Sequence, residues 1–204
     1  MNFSQLDHLQ QDTLCELSNI GMGQAATALS QMVGRTIMVH VPSVTTADIA
    51  EVPDLLGGPE RLVAGVILRL EGTACGNMLL VLPEASAEQL LQVLLGPDGS
   101  LESELGVSTL QEIGNILASS YLNALGNMLG MPLYPSIPQL AYDMAGAVVD
   151  QVLGEIGASS DLALVLETEF AGNDGPGEPI RGHFFLLPDA ETLEIILAAA
   201  GGAA

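Results

Sequence analysis

The chain has 204 residues, of which 49% are hydrophobic and 14% charged, and its four arginines face 25 acids for a formal net charge of −21. A surface of that sign repels phosphate backbones and anionic headgroups, which excludes nucleic-acid and peripheral-membrane roles, and no apolar run reaches the ~18 residues of a membrane helix. Cys15 and Cys75 without a CxxC, and an N-terminus MNFSQLDHLQQ with neither basic nor apolar leader, read as a cytoplasmic protein of a reducing compartment.

Helical spacing over residues 5–33 predicts a long helix closed by Gly34, with Leu6, Leu9, Leu17 and Ile20 on its apolar side. TIMVHVPSV (36–44) alternates and is rich in β-branched residues, the pattern of a strand. Residues 62–71 and 74–82 flank Gly72 as a hairpin, and Pro83 opens a helix over 84–95 that stops at Gly96. A second series follows, with a helix over 104–129, an extended stretch near 134–141, strands over 161–170 and 180–187, and a helix over 189–200. It also carries an amphipathic helix over 142–156, read as an insertion. Residues 1–4 and the closing GGAA are expected to fray.

The second series repeats the first. At an offset of 96, residues 12–42 meet 108–138 with ten identities in thirty-one positions, among them Glu16/Glu112, Asn19/Asn115, Ile20/Ile116, Gly34/Gly130 and Pro42/Pro138. At an offset of 105, LPEASAEQLLQVLLG (82–96) meets LPDAETLEIILAAAG (187–201). Such self-similarity predicts two α-β-β-β-α units, about 5–96 and 104–201, each small for independent folding. The expected architecture is a single α+β domain spanning residues 1–204, with pseudo-twofold symmetry and one shared antiparallel sheet.

At ~100° per residue, placing Asp12 at ~0° puts Glu16 near ~40° and Asn19 near ~340°, one narrow stripe about two turns long. Ser108, Glu112 and Asn115 draw the same stripe on the second long helix, while neighbours such as Cys15/Gln111 and Gly23/Ser119 have changed. A single Glu and Asn on an amphipathic helix read as solvated face; recurrence at identical offsets points to chemistry. No HExxH, GxSxG, GxxxxGK[ST] or strand-bound GxGxxG occurs, which disfavours metal, serine and nucleotide chemistry. An amide is donor and acceptor at once and suits holding a water, and phosphoryl transfer needs mostly positioning and charge neutralisation. A Glu one turn away suits docking a basic group of a partner that brings its own metal and labile phosphoryl group.

With Asp12-x3-Glu16-x2-Asn19-x22-Pro42 and Ser108-x3-Glu112-x2-Asn115-x22-Pro138, the chain resembles the CheC/CheX/FliY chemotaxis phosphatases, CheC above all. The resemblance covers essentially the whole chain and implies a CheC-like duplicated α+β fold, with two long helices packed side by side on one antiparallel sheet. It implies hydrolysis of the aspartyl phosphate of a CheY-type response regulator, with Asn19 and Asn115 orienting water and Glu16 and Glu112 meeting a regulator lysine. Asp12 and Ser108 are then supporting partner-contact positions, and Pro42 and Pro138 structural markers. No cofactor of the chain's own is implied; Mg²⁺ is expected on the bound regulator. The alternative from another class is a non-catalytic adaptor binding CheD or a regulator. Its docking element would be the helix after the second motif proline, with Asp150 as the exposed contact.

Overall fold

In the computed structural model, residues 6–156, 162–172 and 180–202 are described. Helix α1 runs His8–Val33, later than apolar spacing alone suggests, because Asp7 and Gln10 close a capping box. The Asp7 carboxylate accepts from the Gln10 N–H at 2.8 Å and the Gln10 amide oxygen accepts from the Asp7 N–H at 3.1 Å. Its counterpart α4 (Glu104–Leu129) is likewise 26 residues long and starts from the Ser103 hydroxyl. Both end on a glycine in the left-handed region, Gly34 at φ 71° and Gly130 at φ 68°, a conformation that favours a residue without Cβ.

Each predicted first strand is two strands. β1 (Ile37–His40) and β2 (Val44–Asp48) both pair with β7 (Leu162–Gly172). His40 lies opposite Glu169 and Val44 opposite Leu166, so Val41, Pro42 and Ser43 face only Glu167 and Thr168. The extra residue makes a bulge, and Pro42 brings no N–H to a ladder. The second half repeats the device, where β5 (Leu133–Pro135) and β6 (Gln139–Met144) pair with β3 (Leu62–Gly72) on either side of Ser136–Pro138. With β4 (Gly76–Pro83) and β8 (Ile180–Pro188) these strands form one eight-stranded antiparallel sheet, ordered β1-β7-β8-β4-β3-β5 with β2 on β7 and β6 on β3. The opening strands of each half thus pair with the long strand of the other.

Both faces of the sheet are covered, which is why its central strands read as near-continuous apolar runs. One face packs α1, α3 (Glu84–Leu95), α4 and α6 (Ala190–Gly202) through Leu14, Leu90, Leu117, Tyr121 and Ile196 onto Val66, Leu80 and Phe184. The other carries α2 (Val52–Leu55), which follows a 3-10 turn at Ile49–Glu51, and α5 (Ala145–Ile156), packed through Val52, Val148 and Val152 onto Ile67, Leu79 and Phe185.

Three expectations need correction. Residues 142–144 close strand β6, and α5 is no insertion, since the short α2 stands at its place in the first half. Gly201 and Gly202 continue α6, whose last turn is held where the Gln10 amide donates to the Leu197 carbonyl at 3.1 Å. Residues 1–4 and 203–204 lie outside the described residues. Leu9 and Ile20, placed on the apolar side of α1, are 49% and 54% exposed. The buried residues are instead Leu14, Leu17, Ser18, Gly21, Met22, Ala25 and Leu29. α1 must fit α4 as well as the sheet, and a Cβ on Gly21 would come within 3.0 Å of the Tyr121 Cα.

Beside the first bulge, Pro42, Glu167, Glu169, Arg181 and His183 line a cleft of about 360 Å³. His183 stacks on Phe185, and its buried Nδ1 has no hydrogen-bond partner among the described residues. Burial pulls its pKa below the usual range; Glu167 opposes and Arg61 reinforces the shift. The unfolded chain therefore takes up this proton at higher pH than the folded one. Stability is fully present above ~6.5 and falls as pH drops from there toward the lower folded value. The expected outcome is that thermal melts between pH 7 and pH ~5.5 show a shallower loss of Tm for His183→Gln than for the parent chain; identical slopes would contradict it.

Candidate functional site

Because the buried face of α1 points toward α4 and the sheet, the opposite side carries the Asp12, Glu16, Asn19 stripe to the surface. Asp12 and Glu16 are exposed and Asn19 is half-buried; Ser108, Glu112 and Asn115 repeat that gradient on α4. The two helices pack against each other on one face of the sheet, so both stripes belong to the helical side of the molecule. Asp150 is exposed on α5, which packs on the opposite face, and is not part of either stripe.

The spacing of each Asn to its proline has a physical meaning. The bulge turns the peptide groups of Val41 away from β7, and a buried N–H and C=O must find partners. Asn19 supplies both. The Val41 N–H donates to Asn19 Oδ1 at 3.0 Å, and Asn19 Nδ2 donates to the Val41 carbonyl at 3.0 Å. The same Nδ2 also donates to the Cys15 carbonyl at 3.0 Å, and the Cys15 thiol lies 3.6 Å from the Val41 carbonyl oxygen.

At the second bulge the tie is made differently. Gln111, which stands where the first copy has Cys15, donates from Nε2 to the Pro138 carbonyl at 3.2 Å. The side chain of Asn115 makes no hydrogen bond to any described residue. Ile137 is 86% exposed where Val41 is fully buried.

Each stripe has an apolar flank that the sequence reading assigned to the core or passed over. Leu9 and Ile20 lie near ~60–80° on the wheel, beside Glu16, and Leu105 and Ile116 do so beside Glu112. Leu105 is 63% exposed and Ile116 partly buried. The signal was available, since Leu9/Leu105 and Ile20/Ile116 are identical pairs at the offset of 96. An acid, an amide and exposed aliphatic residues on one helix face can dock a partner through a basic group and an apolar contact, and can hold a water beside it. Among the described residues no group of three or more His, Cys, Asp and Glu is placed to hold a metal ion, and no helix is long and apolar enough to cross a membrane.

The profile of the CheC-like family matches residues 9–45 and 105–142, the two segments that hold the stripes and bulges. The chain is 36% identical, over 98% of its own length and 97% of the relative's, to the CheY-P phosphatase CheC of Bacillus subtilis. FliY of Thermotoga maritima has the same fold, with a TM-score of 0.75 at 21% identity over 98% of this chain and 99% of that one. So does the FliM middle domain of H. pylori, with a TM-score of 0.67 at 11% identity over 95% and 99%. The match of the family profile to both segments and the 36% identity to CheC along nearly the whole of both chains lead to one assignment: the chain belongs to the CheC-like family.

Proposed function

We propose that this protein is a phosphatase that accelerates hydrolysis of the aspartyl phosphate on a CheY-type response regulator. The observation that carries the reading is the acid-and-amide stripe, built twice in register and kept at the surface by the packing of α1 and α4. The CheY-P phosphatase named among its relatives, matched along nearly its full length, supports the same substrate class. In this reading Glu16 and Glu112 meet a lysine of the regulator, with Asp12 and Ser108 at the rim of the contact. The motif asparagine orients the attacking water toward the phosphorus, a positioning role that phosphoryl transfer rewards. The chain supplies no cofactor; the Mg²⁺ that neutralises the phosphoryl oxygens sits on the regulator. Leu9, Ile20, Leu105 and Ile116 provide the apolar part of the contact.

The test is the decay of a phosphorylated CheY with the protein at about one-tenth of its concentration. Many turnovers per chain are expected. Decay at the rate of the regulator alone, or acceleration that stops at one equivalent, would leave only a binding protein. In that case an adaptor that docks CheD through the outer face of α5, around Asp150, takes its place.

A further inference from the structure

We infer that the two stripes are not equivalent: Asn115 is the amide that orients water, while Asn19 is a tie that holds the Val41–Pro42 bulge against α1. The inference rests on the phosphatase reading above and divides it between the copies. A side-chain amide offers two N–H donors and one carbonyl oxygen. Asn19 gives its donors to the carbonyls of Cys15 and Val41 and takes the Val41 N–H on its oxygen, all at 3.0 Å. Both donors are therefore occupied, and the reciprocal pair with Val41 fixes the plane of the amide. Freeing it would leave the N–H of a fully buried residue without a partner and its C=O with only the weak Cys15 thiol, a heavy penalty.

The second copy removes that conflict by a change of one residue. Gln111 replaces Cys15 and reaches the bulge itself, binding the Pro138 carbonyl at 3.2 Å. Ile137 is 86% exposed and its carbonyl accepts from the Ser136 hydroxyl at 3.3 Å, so this residue makes no demand on α4. Asn115 is left half-buried, its side chain bonded to no described residue, one turn from an exposed Glu112. Gln111 is thus a positioning residue for the second site, and Asn19 a structural residue for the first.

The experiment compares Asn19→Ala, Asn115→Ala and the double variant by phospho-CheY decay per chain and by thermal melting. Asn115→Ala is expected to lose at least about tenfold in rate with its Tm unchanged. Asn19→Ala is expected to lose less than about threefold in rate while its Tm drops by roughly 5–10 °C. Equal losses from the two single variants, or the larger loss from Asn19→Ala, would overturn the division while the phosphatase reading stands. A double variant as active as the parent would instead remove the asparagines from catalysis altogether. Should Asn19→Ala fail to fold, amide hydrogen exchange on the parent chain decides. The Val41 N–H must be protected and the Ile137 N–H must exchange fast; comparable rates at the two would refute the tie.

Discussion

A chain carrying Glu16→Gln and Glu112→Gln is expected to bind a phosphoryl-mimic complex of CheY roughly tenfold to a hundredfold more weakly, with no change in Tm. The substitution keeps shape and removes only charge, and both side chains are exposed on the free protein, so the fold has nothing to lose. In the proposed docking the apolar flanks cover the carboxylate and a regulator lysine, and a charge-assisted hydrogen bond gains strength as water leaves. Under the proposed role of the asparagine on the water, Asn115→Ala should weaken binding less than Glu112→Gln does. Salt separates this local contact from general attraction. A chain of net charge −21 exerts no long-range pull on a regulator that is itself acidic, and for such a pair moderate salt screens repulsion over ~8–10 Å. Affinity that is flat or rises with salt is the expected result; a steep fall, or glutamine variants that bind like the parent, would refute the docking step.

Gly114→Val is expected to destabilise the protein by about 2–3 kcal/mol, lowering Tm by roughly 5–10 °C, and to reduce the hydrolysis rate as well. A Cβ at position 114 would stand 2.5 Å from Val66 Cγ1 and 3.0 Å from its Cβ. Val66 is 1% exposed on the inner strand β3 and stiff at χ1, so it has nowhere to turn. The helix has to lift from the sheet, and Asn115 is the next residue along it. Melting and phospho-CheY decay measured on the same preparation test both parts. A variant with the parent's Tm would mean that the helix-to-sheet contact has slack, and one with the parent's rate would mean that Asn115 tolerates the shift.

The parts of the fold legible in the sequence were those set by local chemistry. Long apolar spacing and terminal glycines mark α1 and α4, and glycine and proline mark the ends of β3, β4 and α3. Duplication exposed the stripe, because it separated Glu16 and Asn19 from neighbours free to change. What remained hidden depends on partners distant in the chain. Leu9 and Ile20 look like core on a helical wheel until α4 fixes which side of α1 is covered. The β1–β2 break cannot be read from TIMVHVPSV, since it is the register on β7 that leaves one residue over. The tie of Asn19 to Val41 was out of reach for a related reason. An amide that orients water and one that satisfies a bulge have the same letter and the same spacing.

The exchange of opening strands between the halves bears on how such a chain assembles and how it arose. Until β6 has been synthesised and docked, β3 presents an unpaired edge, and β1 and β2 have no ladder until β7 arrives. Neither half can complete its sheet on the ribosome while the other is missing, so ordering waits for long-range closure and is slow relative to helix formation. For the same reason a single unit made alone would carry an open edge matched to its own first strands. Its route to a closed sheet is a second copy of itself, paired about a twofold axis. The two-unit chain has the strand pairing that such a dimer would have if its units were joined end to end. Within one chain, unlike a twofold dimer, the two helices need not be alike, and they differ at Cys15 against Gln111.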